Sequence, residues 1–253
     1  MRIKAIAFNT FKEAVRNKVF YLLVVLGIVS ALSSVIISML TLGDKEKILK
    51  DVGLASIDFF CVLIAIFTGI NLVYKEIEKR TIFNILSKPI SRGSFILGKF
   101  MGLSLTLLVA LSSMTVIFFI FLFLATGSFD FKILAYFFLL YLELLVITSI
   151  SLLFSSFSTP ILSSIFTISL YLIGTVSWTF NEFKNQLTPV ANFIGHILYY
   201  ILPNLAKFNI KNELVLDENL NSYLIFNGIL YAVCYTSALL ILTMIIFRKR
   251  EFQ

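Results

Sequence analysis

Six long apolar runs leave this chain few ways to fold. A helix needs about 20 consecutive apolar residues to cross a bilayer, and the runs at 19–42, 53–74, 100–126, 132–155, 160–180 and 222–247 each meet that length. Composition points the same way. Hydrophobic residues make up 59% of the 253 and charged residues 14%, whereas a soluble domain has about 45–50% and about 25%. Mean hydropathy is +0.97. A spanning β-barrel would alternate apolar and polar residues, but here the apolar residues are continuous, with 27 Phe and only 4 Pro. The expectation is an all-α membrane protein with six transmembrane helices. The longest stretch without a spanning run is the roughly 40 residues after Phe180, which leaves no room for a separate soluble domain.

The charges set the orientation. Net charge is +7, but the basic residues sit beside apolar runs, which points to membrane topology rather than to nucleic acid. Placing the N-terminus inside puts five Lys/Arg on the N-terminal arm, six on the 75–99 connection and three at the end (Arg248, Lys249, Arg250). The outside then holds Lys45, Lys47, Lys50, Lys132, Lys184, Lys207 and Lys211. The positive-inside rule favours this arrangement, so both termini are expected on the cytoplasmic side of the cytoplasmic (inner) membrane.

Residues 1–18 read as an amphipathic helix lying in the interface, with Ile3, Ile6, Ala7, Thr10, Phe11, Ala14 and Val15 on one side. A signal peptide is the other reading of this end, but the apolar run that follows continues to Leu42 and is too long for one. The short uncharged S-S-F-S-T-P at 155–160 predicts a tight hairpin between the fourth and fifth spans. Between Pro189 and Pro203 lies an apolar stretch too short to cross, the length of a re-entrant or interfacial helix on the outer side, 189–203. Cys61 and Cys234 fall inside apolar runs and carry no disulfide role.

The stretch from Asn71 to Gly102 breaks the apolar pattern with Lys75, Glu76, Glu78, Lys79, Arg80, Lys88, Arg92 and Lys99. Helical spacing lines up Tyr74, Ile77, Thr81 and Ile85, flanked by Ile82 and Leu86, with charge opposite. Pro89 should end this helix, and Ser91 is placed to cap the next. Phe83 stands as an aromatic among the charges. Residues 75–90 are therefore expected to be either a helix lying on headgroups or a docking element for a cytoplasmic partner, with Phe83 inserted into that partner.

Few residues carry chemistry. Glu143 is the acid nearest the middle of a span, where a carboxylate must be paired, wetted or protonated. Hydroxyls at Thr148, Ser149, Ser151, Ser163, Ser164, Thr167 and Ser169 are the expected neighbours. Asp58 reads as a shallower, solvated acid. The run from Gly93 to Lys99 has the first seven positions of a P-loop, but the eighth is Phe100 where Ser or Thr would hold magnesium, and no strand precedes it. Lys99 is expected at the cytoplasmic interface with its stem along the bilayer edge. Gly98 and Gly102 form a pair of small residues that would let a neighbouring helix approach. His196 is the one histidine, so neither a His-based metal site nor a His-dependent triad can be built within the chain. No catalytic, cofactor or metal residues are expected.

The sequence resembles the membrane-spanning subunits of ABC-2-type exporters. The resemblance is carried by K-E-I-E-K-R-T-I-F-N-I-L-S-K-P-I-S-R-G-S-F-I-L-G-K, supported by I-A-F-N-T-F-K-E-A-V-R-N-K, S-S-F-S-T-P and L-P-N-L-A-K-F-N. It covers essentially the whole chain and is closest to permeases grouped with multicopper-enzyme maturation systems. It implies that 75–90 is a cytoplasmic coupling helix seated in a separate ABC ATPase subunit. Glu76, Glu78, Thr81, Pro89, Arg92, Gly98 and Lys99 match the family's motif, and Phe83 and Leu86 belong to the same coupling surface. A homodimer or a second permease subunit completes the implied complex. The rivals are a non-transporting assembly or anchor subunit driven by an ATPase, and an intramembrane enzyme using Glu143 or Glu76.

Overall fold

The computed structural model describes residues 2–40, 44–78, 91–127, 130–177, 202–216 and 222–249, all helices and their connections. Helix α1 spans Arg2–Val15 and α2 spans Lys18–Leu40. Helix α3 covers Lys45–Glu78, α4 Arg92–Thr126 and α5 Lys132–Ser155. Then come α6 (Pro160–Val176), a 3-10 turn at Leu205–Phe208, the short α7 (Lys211–Val215) and α8 (Ser222–Lys249). The chain is an all-α membrane protein. Among the described residues five helices are long and apolar enough to cross a membrane, and Pro160–Val176 is a shorter apolar helix.

Two helices exceed the spans expected of them. With 34 and 35 residues, α3 and α4 are each about 50 Å long at 1.5 Å per residue, against a hydrocarbon core of about 30 Å. At its start α3 takes in residues expected in a loop. Lys50 reaches back one turn to Glu46 at 2.9 Å and across to Asp130 at 2.9 Å, with its side chain 4% exposed, so this end is held to the start of α5. Helix α4 begins two turns before its apolar run. Ser91, in extended conformation, accepts the Ser94 N–H at 3.2 Å and caps it. At its other end Gly127, at φ 70°, gives its N–H to the Phe123 carbonyl.

Helix α5 is the central element, packed against α3, α4, α6, α8 and the 3-10 turn. In its most apolar window 72% of residues are buried, compared with 17% for α8. Close approach is set by small residues. A Cβ on Gly69 of α3 would collide with the Ser151 hydroxyl of α5, so only the small Ser151 side chain stands between these two helices there. The connection from α5 to α6 is tight. Ser156 donates its N–H back to Leu152 and Leu153, and Pro160 opens α6 after an extended Thr159.

Residues 79–90, with Thr81, Phe83, Leu86 and Pro89, lie outside the described residues, as do the side chains of Glu76 and Glu78. The same holds for residues 189–201 of the outer helix expected at 189–203.

Candidate functional site

Polar and charged groups gather at two opposite ends of the bundle. At the first, the beginning of α4 is tied to both chain ends. The Arg92 guanidinium donates from Nη1 to the Phe247 carbonyl at 3.1 Å and the Arg248 carbonyl at 2.9 Å. These carbonyls belong to the last turn of α8, which has no helical donors of its own and carries the negative end of the helix dipole. Phe95, one turn on, stacks on Phe247 with ring centroids 5.8 Å apart. One further turn on, α4 receives α1. A Cβ at Gly98 would lie 2.7 Å from the Ile6 side chain, and one at Gly102 would lie 2.5 Å from the Ala7 carbonyl. Ala7, Thr10 and Ala14 are consequently buried.

The pair of glycines is thus the seat of α1. The stripe that holds Ile6, Ala7, Thr10 and Ala14 packs against α4, because two missing side chains let the helices approach closely. Lys99 also departs from expectation. It is buried between α1 and α4, 1% exposed, with Nζ 3.9 Å from the Glu13 carboxylate and 5.8 Å from the centre of the Phe95 ring. The run Gly93–Lys99 is helical throughout and offers no phosphate-cradling loop.

At the second end, residues 202–216 fold into the bundle rather than crossing over it. Leu205, Phe208, Ile210 and Leu214 are buried. The Asn204 N–H donates to the Tyr231 hydroxyl of α8 at 2.7 Å, and Lys207 Nζ stands 4.4 Å over the Tyr231 ring. Gly174 of α6 makes room for the segment, since a Cβ there would lie 2.6 Å from the Pro203 carbonyl. The L-P-N-L-A-K-F-N run is therefore a plug, which the sequence's apolar spacing alone did not announce.

Beneath this plug lies a cavity of about 280 Å³. Its polar lining is Asp58 of α3, Glu143 of α5, Thr175 of α6, and Asn209 and Asn212 of the plug. Glu143 is 5% exposed. Asp58 is half-buried, with Oδ1 enclosed and no hydrogen-bond donor to it among the described residues. Of the hydroxyls expected beside Glu143, those on α5 serve their own helix: Thr148 donates to Leu144, Ser149 to Leu145 and Ser151 to Thr148. The nearest basic group on the plug, Lys211, is engaged with Asp51 at 2.7 Å. What sequence reasoning missed was the pairing of Asp58 with Glu143. The available signal was that both are acids inside apolar runs, and a carboxylate there must find polar company.

No group of three or more His, Cys, Asp and Glu that could hold a metal ion occurs among the described residues. The geometry defines a multi-pass helical membrane protein with a tied helical junction at one end and an acid-lined cavity at the other. The model of the ABC-2 family transporter proteins matches residues 4–252, nearly the full chain, and the chain belongs to that family. It is a membrane permease of an ABC transporter. The match is at the level of the family. No curated protein matches the chain.

Proposed function

We propose that this permease works as an exporter subunit, coupled to ATP hydrolysis on a separate ABC ATPase that docks on residues 75–90. The observation that carries this reading is the junction at the start of α4. Directly after the 79–90 segment, Arg92 and Phe95 hold α8, and Gly98 and Gly102 hold α1. A push on 75–90 is therefore delivered to three helices at once, and α3 and α4 both run about 50 Å from that end. In this reading Glu76, Glu78, Thr81, Phe83, Leu86 and Pro89 form the docking surface, and Arg92 passes its displacement to α8. Hydrolysis takes place on the partner, and this chain has no catalytic residues. A second permease copy or subunit completes the pathway.

Phe83→Ala tests the docking surface. An aromatic side chain buried in a partner is a frequent hot spot, and its truncation costs about 2 kcal/mol or more, roughly thirtyfold in affinity. Membrane insertion should stay normal while ATPase co-purification falls or hydrolysis becomes uncoupled from transport. Unchanged association with coupled turnover removes the docking reading.

We further propose a cytoplasmic-membrane location, with both termini cytoplasmic and 181–221 outside. Lys184→Cys in a background lacking Cys61 and Cys234 should react with an impermeant maleimide from outside in intact cells. Reaction only from the cytoplasmic side overturns this topology.

A further inference from the structure

We propose that the cavity between α3, α5, α6 and the 202–216 plug is a binding site for a primary ammonium or guanidinium group, held between the carboxylates of Asp58 and Glu143.

Two acids on different helices, Asp58 of α3 and Glu143 of α5, face one space of about 280 Å³. Glu143 is nine-tenths enclosed, and Asp58 Oδ1 is buried with no donor among the described residues. Burying a carboxylate without a donor is costly, and burying two beside each other adds like-charge repulsion. The hydroxyls on α5 do not relieve the cost, because their protons go to backbone carbonyls. Lys211 is committed to Asp51 at 2.7 Å. Lys211 reaches Asp58 only by attraction through space, so among the described residues neither carboxylate has a bonded cationic donor, and a bound cation would supply one.

The lining narrows its chemistry. A transition-metal ion is a poor match, since the described residues assemble no three-ligand set of His, Cys, Asp and Glu. The volume is roughly nine times a water's share of the liquid, about 30 Å³, and close to the lower bound of small-molecule pockets, about 300 Å³. That suits a polyatomic head with a short hydrocarbon stem. Ammonium and guanidinium offer three and five N–H donors: three engage both carboxylates and one further oxygen, and five engage both carboxylates together with the side-chain oxygens of Thr175, Asn209 and Asn212. Leu205 and Ala206 supply an apolar wall for the stem. Asn209 and Asn212 are exposed, which puts the mouth at the plug end.

The proposal concerns binding to this chain and is tested without an ATPase. The full chain, purified in detergent, is titrated with n-butylammonium and n-butylguanidinium by calorimetry, with n-butanol as the neutral match. Saturable binding of at least one cation is expected, with n-butanol at least tenfold weaker. Asp58→Asn and Glu143→Gln keep shape and hydrogen-bonding capacity but lose the charge. Each should weaken binding tenfold or more while eluting as the parent does on gel filtration. Glu46→Gln, an exposed acid at the same end of the bundle, should leave the affinity unchanged.

Repeating the titration in nanodiscs separates the sources of the amine. Weaker binding of the probe in phosphatidylethanolamine than in phosphatidylcholine identifies a lipid headgroup as a competitor. Equal affinity in the two identifies a soluble amine, and either result supports the site. No saturable binding of either cation, equal binding of n-butanol, or retained affinity in both well-folded acid variants overturns it. Such a failure leaves the ATPase-docking reading standing, and failure of the Phe83→Ala test leaves this site standing.

Discussion

Gly102→Leu is expected to lift α1 off the bundle. A Cβ at this position already lies 2.5 Å from the Ala7 carbonyl and 2.6 Å from Thr10 Cβ. A carbonyl of a helix backbone cannot turn aside as a side-chain tip can, so the whole of α1 has to move by about an ångström before any larger group fits. Overpacking of this kind costs about 1–3 kcal/mol, which lowers the docked population of α1 by roughly 5- to 150-fold. Hydrogen exchange across residues 2–15 reads it directly, because backbone amides of an undocked helix this short lose protection. Gly98→Leu should act in the same direction through Ile6. Gly93→Ala is the contrasting variant, since its Cβ would find Met244 Sδ at 3.4 Å, an ordinary contact. Wild-type protection of 2–15 in Gly102→Leu would show that α1 does not depend on this seat.

Gly174→Leu should release the plug at the opposite end. Its Cβ would sit 2.6 Å from the Pro203 carbonyl and 2.9 Å from Leu205 Cγ. Leu205 and Phe208 are each 1% exposed, so the plug has no slack through which to yield. The expected result is loss of the Asn204 N–H to Tyr231 hydroxyl bond and roughly 5- to 150-fold faster amide exchange over 204–214, the same 1–3 kcal/mol penalty expressed locally. Tyr231→Phe removes only the acceptor and should give a smaller increase confined to the first residues of the plug. If Gly174→Leu leaves exchange over 204–214 unchanged, the plug is held by contacts other than those at α6.

Both glycines illustrate how unevenly the sequence speaks. The Gly98–Gly102 spacing marked a helix seat, yet nothing in the spacing said which helix would fill it. The answer is α1, whose stripe of small residues, Ala7, Thr10 and Ala14, fits the groove. Ser91 was legible as a cap because capping is local: it needs only a hydroxyl before a helical run. Arg92 as the clasp on α8 was not legible, since its partners are backbone carbonyls 155 and 156 residues away. The acid-lined cavity was half legible. Glu143 drew notice as an intramembrane acid, whereas Asp58 joins it at one cavity only once α3 is placed against α5.

The sequence by itself determined that the chain is helical and membrane-spanning, because uninterrupted apolar length is a local property and bilayer thickness is fixed. It also determined which family the chain belongs to. Only the tertiary structure decided which helix sits at the centre. In their most apolar windows α5 and α8 have the same mean hydropathy, 2.3, yet 72% of one window and 17% of the other is buried. In water, such a difference would be written as an apolar stripe. In lipid the surroundings are as apolar as the core, so an outward-facing leucine costs nothing and the stripe disappears. What remains to direct assembly is the close fit at small residues such as Gly69, Gly102 and Gly174, and the company required by Asp58 and Glu143. Both depend on partners that the chain meets only once it is folded.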